Sequence, residues 1–128
     1  LWQTGDLRSN FPMLLDPERN RVISVFRRPA HLQAYQLPGG RVLAGIDTCG
    51  DADDLFLDTR RQRIYVICGE GLVESLESTA DGFARAGRVV TSVGARTGLF
   101  VPEIDRLFVA VPAHSDASAA ILVLRPVP

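Results

Sequence analysis

Three carboxylates fall within four residues at Asp51, Asp53 and Asp54, the densest acidic cluster in the chain. Oxygen donors spaced this closely are the kind that hold Ca²⁺ or Mg²⁺. No glycine and glutamate follow at the spacing of a calcium-binding loop, so the competing reading is solvated turn residues bonded to nearby backbone. No metal or cofactor is expected on this pattern. The two histidines, His31 and His114, have no Cys, His or carboxylate neighbour at metal-ligand spacing and read as loop or strand-end residues. No Gly-x-Ser-x-Gly elbow occurs, and no glycine-rich loop opens a helix to cradle a phosphate. No catalytic residue is therefore assigned. Cys49 and Cys68 are the only thiols.

The stretch that must position these groups runs from Asp53 to Cys68, DDLFLDTRRQRIYVIC. Two apolar runs joined by a polar turn read as a β-hairpin. The same text recurs without gaps from Phe11 to Phe26 and from Arg96 to Val111. Its anchoring arginines, Arg21, Arg63 and Arg106, lie 42 and 43 residues apart. In this register Arg96 and Phe11 stand at the position of Asp53. An acid and a base on neighbouring strands either pair structurally or anchor a ligand, and Asp51, Asp53, Asp54 and Arg96 form the candidate ligand-binding set.

Each period carries four short strands. After the first hairpin come His31–Leu37, the Pro38-Gly39-Gly40 turn and Arg41–Asp47. After the second come Leu72–Leu76, a polar connection from Ser78 to Phe83, and Arg85–Val93. The third unit breaks from Pro112 to Ser118 and resumes only as Ala119–Leu124. Four antiparallel strands per period is the content of one propeller blade. Eleven glycines and eight prolines leave no window for an ordinary amphipathic helix. The expected fold is all-β: blade 1 from about 11 to 48, blade 2 from 53 to 93, and blade 3 from 96 to 125. Leu14, Leu55, Leu57, Ile64, Val66, Leu99, Leu107 and Val109 are expected between blades.

Composition bounds the partners. Fourteen basic residues, all Arg, face 15 acidic ones, so no strong field draws the chain to nucleic acid or an acidic membrane surface. Arg-only usage fits a GC-rich bacterial source as readily as a functional choice. The basic turns, Arg19 with Arg21 and Arg60-Arg61 with Arg63, alternate with acids and read as solvated hairpin turns. No apolar run approaches the roughly 18 residues of a membrane span. The first residue is Leu1, and the expectation is a processed product or an excised part of something longer.

If Asp58 pairs with Arg63 across its turn, the ladder brings Asp53 opposite Cys68. Cys49, four residues before Asp53, then comes near Cys68 after a modest bend. An even count favours a disulfide in an oxidising compartment; two buried free thiols are the alternative.

The hairpins LDTRRQRIYVI (Leu57–Ile67), LDPERNRVISV (Leu15–Val25) and FVPEIDRLFVA (Phe100–Ala110) resemble YVTN or YncE-like β-propeller repeats over the whole chain. The third copy departs, with Val101-Pro102 in place of the turn acids Asp16 and Asp58. Cys49–Asp54 and Gly94–Glu103 resemble the later part of such propellers in secreted bacterial proteins. The resemblance implies the C-terminal three blades of a seven-bladed ring and a secreted or periplasmic location. WD40 repeats fit less well, since the only tryptophan is Trp2 and no Trp-Asp pair occurs; kelch repeats lack their paired glycines here.

The leading expectation is a non-catalytic binding or scaffold module for a small molecule, glycan or protein. The rival is a propeller enzyme of lactonase or quinoprotein type with its site at the central channel. An open stack of three blades has two bare faces. They are expected to be covered by the remaining blades of a longer chain, or by a second copy in a six-bladed ring. In that ring residues 1–6 would supply the missing strand of the partner's third blade.

Overall fold

The computed structural model describes all of residues 1–128. It contains eleven strands and no helix: β1 (Arg8–Asp16), β2 (Arg21–Arg28), β3 (Ala30–Gln36), β4 (Val42–Asp47), β5 (Ala52–Asp58), β6 (Arg63–Cys68), β7 (Leu72–Thr79), β8 (Gly82–Val90), β9 (Thr97–Val101), β10 (Arg106–Val111) and β11 (Ala120–Leu124). Within each sheet consecutive strands pair antiparallel, giving four-stranded sheets β1–β4 and β5–β8 and a three-stranded sheet β9–β11. These are successive propeller blades, with β1, β5 and β9 side by side as their first strands. No helix is long and apolar enough to cross a membrane.

The hairpin turns explain why the repeat is so regular. Asn20, Gln62 and Asp105 occupy one repeat position, and all three adopt a left-handed backbone with φ of 50, 56 and 55°. The short polar side chains of Asn20 and Asp105 suit that conformation. In the first two turns the preceding acid completes the geometry. Asp16 accepts from the backbone N–H of Arg19 at 3.3 Å, and Asp58 accepts from that of Arg61 at 3.1 Å. Val101 offers no such acceptor in the third.

Strand alternation gives every blade a front and a back. The back of blade 1 (Leu14, Ile23, Val25) meets the front of blade 2 (Leu55, Leu57, Ile64, Val66) in one apolar cluster. The back of blade 2 (Phe56, Tyr65, Ile67) meets the front of blade 3 (Phe100, Leu107, Val109) in a second. Both faces of blade 2 are covered, so Ile64 to Cys68 are all buried and the strand reads as an unbroken apolar run.

Several expectations are corrected. Leu99 is 56% exposed, because it lies on the back of blade 3, where no further blade covers it; Leu14 and Leu57 are only half-buried. Blade 1 starts at Arg8, β7 runs on to Thr79 and β8 ends at Val90, since the backbone pairing continues through polar residues that periodicity alone discounts. Residues 1–7 contain no strand; Trp2 instead stacks on Tyr35 of its own first blade, with ring centroids 6.2 Å apart. Folding back lays the indole over apolar surface of blade 1 around Tyr35.

Candidate functional site

The start of β5 is shaped by one bulge. Asp58 pairs with Arg63 and Asp54 with Ile67, but the register then shifts so that Ala52, not Asp53, lies opposite Cys68. The extra residue turns Asp53 outward and moves Cys49 towards β6. Cys49 and Cys68 are disulfide-bonded with Cα atoms 5.9 Å apart. Asp51 takes a left-handed backbone, φ 58°, and its carbonyl accepts from Gly69 N–H at 2.8 Å. Gly50 N–H donates to Glu70 at 2.6 Å. Gly69 leaves room for the Asp51 carboxylate, which lies where its Cβ would otherwise stand.

The bulge gathers charges from three blades. Arg27, at the end of β2, donates from Nη2 to Asp53 at 2.8 Å and from Nε to the Ala52 carbonyl at 2.8 Å. Its Nη1 lies 3.4 Å from Asp51, and its guanidinium stacks 4.3 Å from the centre of the Phe11 ring. Arg96 of the loop before β9 reaches the other Asp51 oxygen at 2.7 Å. Asp54 accepts from Gly98 N–H at 2.7 Å, tying β5 to β9. Burial pushes the Asp54 carboxyl up; the Gly98 amide opposes this and the neighbouring Asp53 charge adds to it. Asp51 and Asp53 are each about a third exposed at 37%, so their ion pairs are worth about 0–1 kcal/mol each. What they supply is orientation. A cleft of about 380 Å³, lined by Ser9, Phe11, Arg27, Arg28 and Asp51, opens beside them.

The four candidate residues are thus brought to the start of the inner strands, with a different pairing from the one expected. Arg96 meets Asp51, because the bulge directs Asp53 to Arg27. Asp54 points between blades and is not part of the rim. No three His, Cys, Asp or Glu side chains converge closely enough to hold a metal ion. His31 Nδ1 lies 2.9 Å from Asp47, a cross-strand pair, and His114 Nε2 lies 3.2 Å from the Ser92 hydroxyl.

Behind the site sits Glu74, fully buried. It accepts from Arg85 at 3.1 Å, from Arg88 at 2.7 Å and from Cys49 N–H at 2.9 Å. Arg85 also donates to the Asp47 carbonyl at 2.9 Å, so one carboxylate joins blade 2 to the linker that delivers Asp51.

At the opposite end, the arginines read as solvated are built in. Arg21 is buried and donates to Asp16 at 2.9 Å and to the Ser78 hydroxyl at 2.6 Å. Arg61 donates to Asp58 at 3.0 Å and to both oxygens of Asp105 at 2.7 and 2.9 Å. Burial pushes Asp58 up, but donation from the Tyr65 hydroxyl at 2.7 Å and from Arg61 outweighs it and leaves the carboxyl below its ordinary range. Burial and that same bond hold Tyr65 above its ordinary value. The signal for this latch was present in the repeat. Arg19 bonds to Gln62 just as Arg61 bonds to Asp105, one turn position to the next position in the following blade.

No family model matches the chain, and no curated protein matches it. Solved structures do. It is similar to a chain of a mitotic checkpoint complex, with TM-score 0.78, 11% identity, and coverage of 97% of this chain and 39% of that one. A provisionally assigned 6-phosphogluconolactonase from Bacteroides uniformis gives 0.65, 11%, 91% and 41%. A functionally unknown protein from Desulfotomaculum acetoxidans gives 0.64, 15%, 91% and 41%. The chain spans about two fifths of the length of these relatives. At such identities the likeness concerns fold, and these three sheets are blades of a β-propeller.

Proposed function

We propose that the protein is a non-catalytic binding or scaffold module of the propeller type. Its ligand-facing surface is the rim formed by Asp51, Asp53, Arg27 and Arg96 beside the Phe11 cleft. The observation that supports this reading is the mutual pairing of the rim charges. Each carboxylate is oriented by a guanidinium from a neighbouring blade, which suits display of a fixed polar pattern rather than proton transfer. Asp54 belongs to the frame that sets the blade spacing. The ligand class is a polar small molecule, a glycan or a protein segment.

The likeness to a provisionally assigned lactonase favours a second reading, a propeller hydrolase using the same rim. A single pair of measurements separates them. Incubation with 6-phosphogluconolactone should give ring opening at the buffer rate. Opening faster than buffer, lost in Asp51→Asn, would replace the binding reading with the enzymatic one. On a glycan and peptide array, signals from the parent protein should fall in both Asp51→Asn and Arg96→Gln. Signals that survive both substitutions would remove the rim as the binding surface.

A further inference from the structure

We propose that the outer edge of β8 is a docking site for an extended acidic peptide, which adds to blade 2 as a further strand. β8 ends its sheet, with β7 on one side and no strand on the other. Neighbouring sheets in this chain meet face to face, so blades stacked before or after these three leave that edge open. β8 is also the longer of the two outer strands, nine residues against six for β4. Its first half is interrupted by a bulge at Ala86, where the register passes from Leu76–Arg85 to Ser75–Gly87; from Gly87 to Val90 the ladder is regular. The Thr91 N–H donates inward to the Gly71 carbonyl at 2.8 Å. Direction alternates along an antiparallel pair, so the N–H groups of Val90 and Arg88 point out from the free edge. Val89 and Val90 are 44% and 80% exposed beside them. An edge of this kind is a template for another chain.

Charge selects the occupant. No acidic residue occurs between Asp81 and Glu103, whereas Arg85, Arg88 and Arg96 do. The bulge brings Arg85 onto the same face as Arg88, and both donate to one oxygen of Glu74, at 3.1 and 2.7 Å. The other oxygen takes the Cys49 N–H. Two guanidinium groups thus share one carboxylate, and the trio keeps a net positive charge. Each guanidinium carries five N–H donors, and both reach solvent. A second copy of β8 would bring two more guanidinium groups and no carboxylate to the same edge, and like charges on paired strands repel. An incoming strand with carboxylates near Arg85 and Arg88 and a β-branched residue near Val90 satisfies both features. Main-chain bonds hold it, and the side chains choose it.

Amide hydrogen exchange read by NMR tests this, with a blocked hexapeptide of alternating glutamate and valine as the probe. Its binding should slow exchange at Val90 and Arg88 by about tenfold or more and weaken as salt is added. The lysine–valine counterpart should not bind. Val90→Pro removes an outward N–H, a change that edge strands accept, and should weaken binding about tenfold; Val90→Thr keeps the N–H and should bind as the parent does. Circular dichroism melts confirm the fold of both variants. The glutamate–valine peptide N-methylated at alternate residues keeps its charge but loses its donors on one edge and should not bind the parent, a result independent of any variant's folding. No binding by the parent overturns the proposal, and undiminished binding of the N-methylated peptide overturns strand addition. Equal binding of the lysine peptide overturns the acidic partner. Exchange at Val90 that slows with protein concentration alone would give the edge to a second copy and overturn it as well.

Discussion

Replacing Glu74 should cost more than its position on a polar-looking strand implies. The side chain is fully buried and serves three donors: Arg85, Arg88 and the Cys49 amide. The two arginines are 36% and 50% exposed, so they rehydrate when the carboxylate is lost, and each missing bond costs only about 0.5–1 kcal/mol. The Cys49 N–H is held at a buried residue and stays unpaired, at about 1–3 kcal/mol. Glu74→Ala adds a cavity and should lose about 3–4 kcal/mol in total, near 10 °C for a domain of this size. Glu74→Met fills the space but still orphans the amide, so it should lie between the alanine and glutamine variants. Glu74→Gln keeps an acceptor for Cys49 and should lose about 1 kcal/mol. Urea unfolding of the three variants gives the ranking directly. If Glu74→Gln is as damaging as Glu74→Ala, the charge and not the Cys49 bond is what matters, and the reasoning fails.

Three further outcomes are expected. Val66→Asp places an unpaired charge at a fully buried site between blades 1 and 2, at a cost of several kcal/mol against a typical total of about 5–15 kcal/mol; a soluble variant with a cooperative melt would refute the assignment. Thiol titration of the denatured, unreduced protein should find none, and reduction should cost roughly 3 kcal/mol for a loop closed by residues 19 apart; two titratable thiols would reject the bond. Asp58 is held below its ordinary range, so its contribution to stability is present above about pH 4 and is lost as pH falls through the lowered value. Tyr65→Phe should shrink that acid-side loss, as read from melting temperature between pH 6 and 2, whereas an unchanged profile would exclude the Tyr65–Asp58 bond as its source.

The blades were legible because hairpin period and turn chemistry are local. The fourfold strand content followed from apolar runs and Gly-Pro punctuation, and the turn positions of Asn20, Gln62 and Asp105 fell where the repeat put them. Burial at Leu99 was misjudged for a physical reason. Periodicity reports which side chains share a face, but not whether another blade covers it. The arginine turns were misread similarly: Arg61 alternates with acids along the chain, yet its partner Asp105 lies in the next blade.

The site shows where sequence register stops being informative. An ungapped alignment sets Arg96 beside Asp53, and a regular ladder sets Asp53 opposite Cys68. A single bulge between Ala52 and Asp54 undoes both. It shifts the inner end of β5 by one residue, which turns each side chain before it to the other face. Asp53 thereby meets Arg27, a residue 26 positions earlier that lies in the preceding blade and has no acidic neighbour to mark it. Once Asp53 is engaged, Arg96 is left with Asp51, which the left-handed backbone presents towards it. The same bulge carries the chain from Cys49 past Cys68. The three-blade charge cluster thus hangs on one bulged residue: deleting Asp53 makes the ladder regular with Ala52 still opposite Cys68, so thiol titration should find the disulfide intact while Arg27 loses its Asp53 partner.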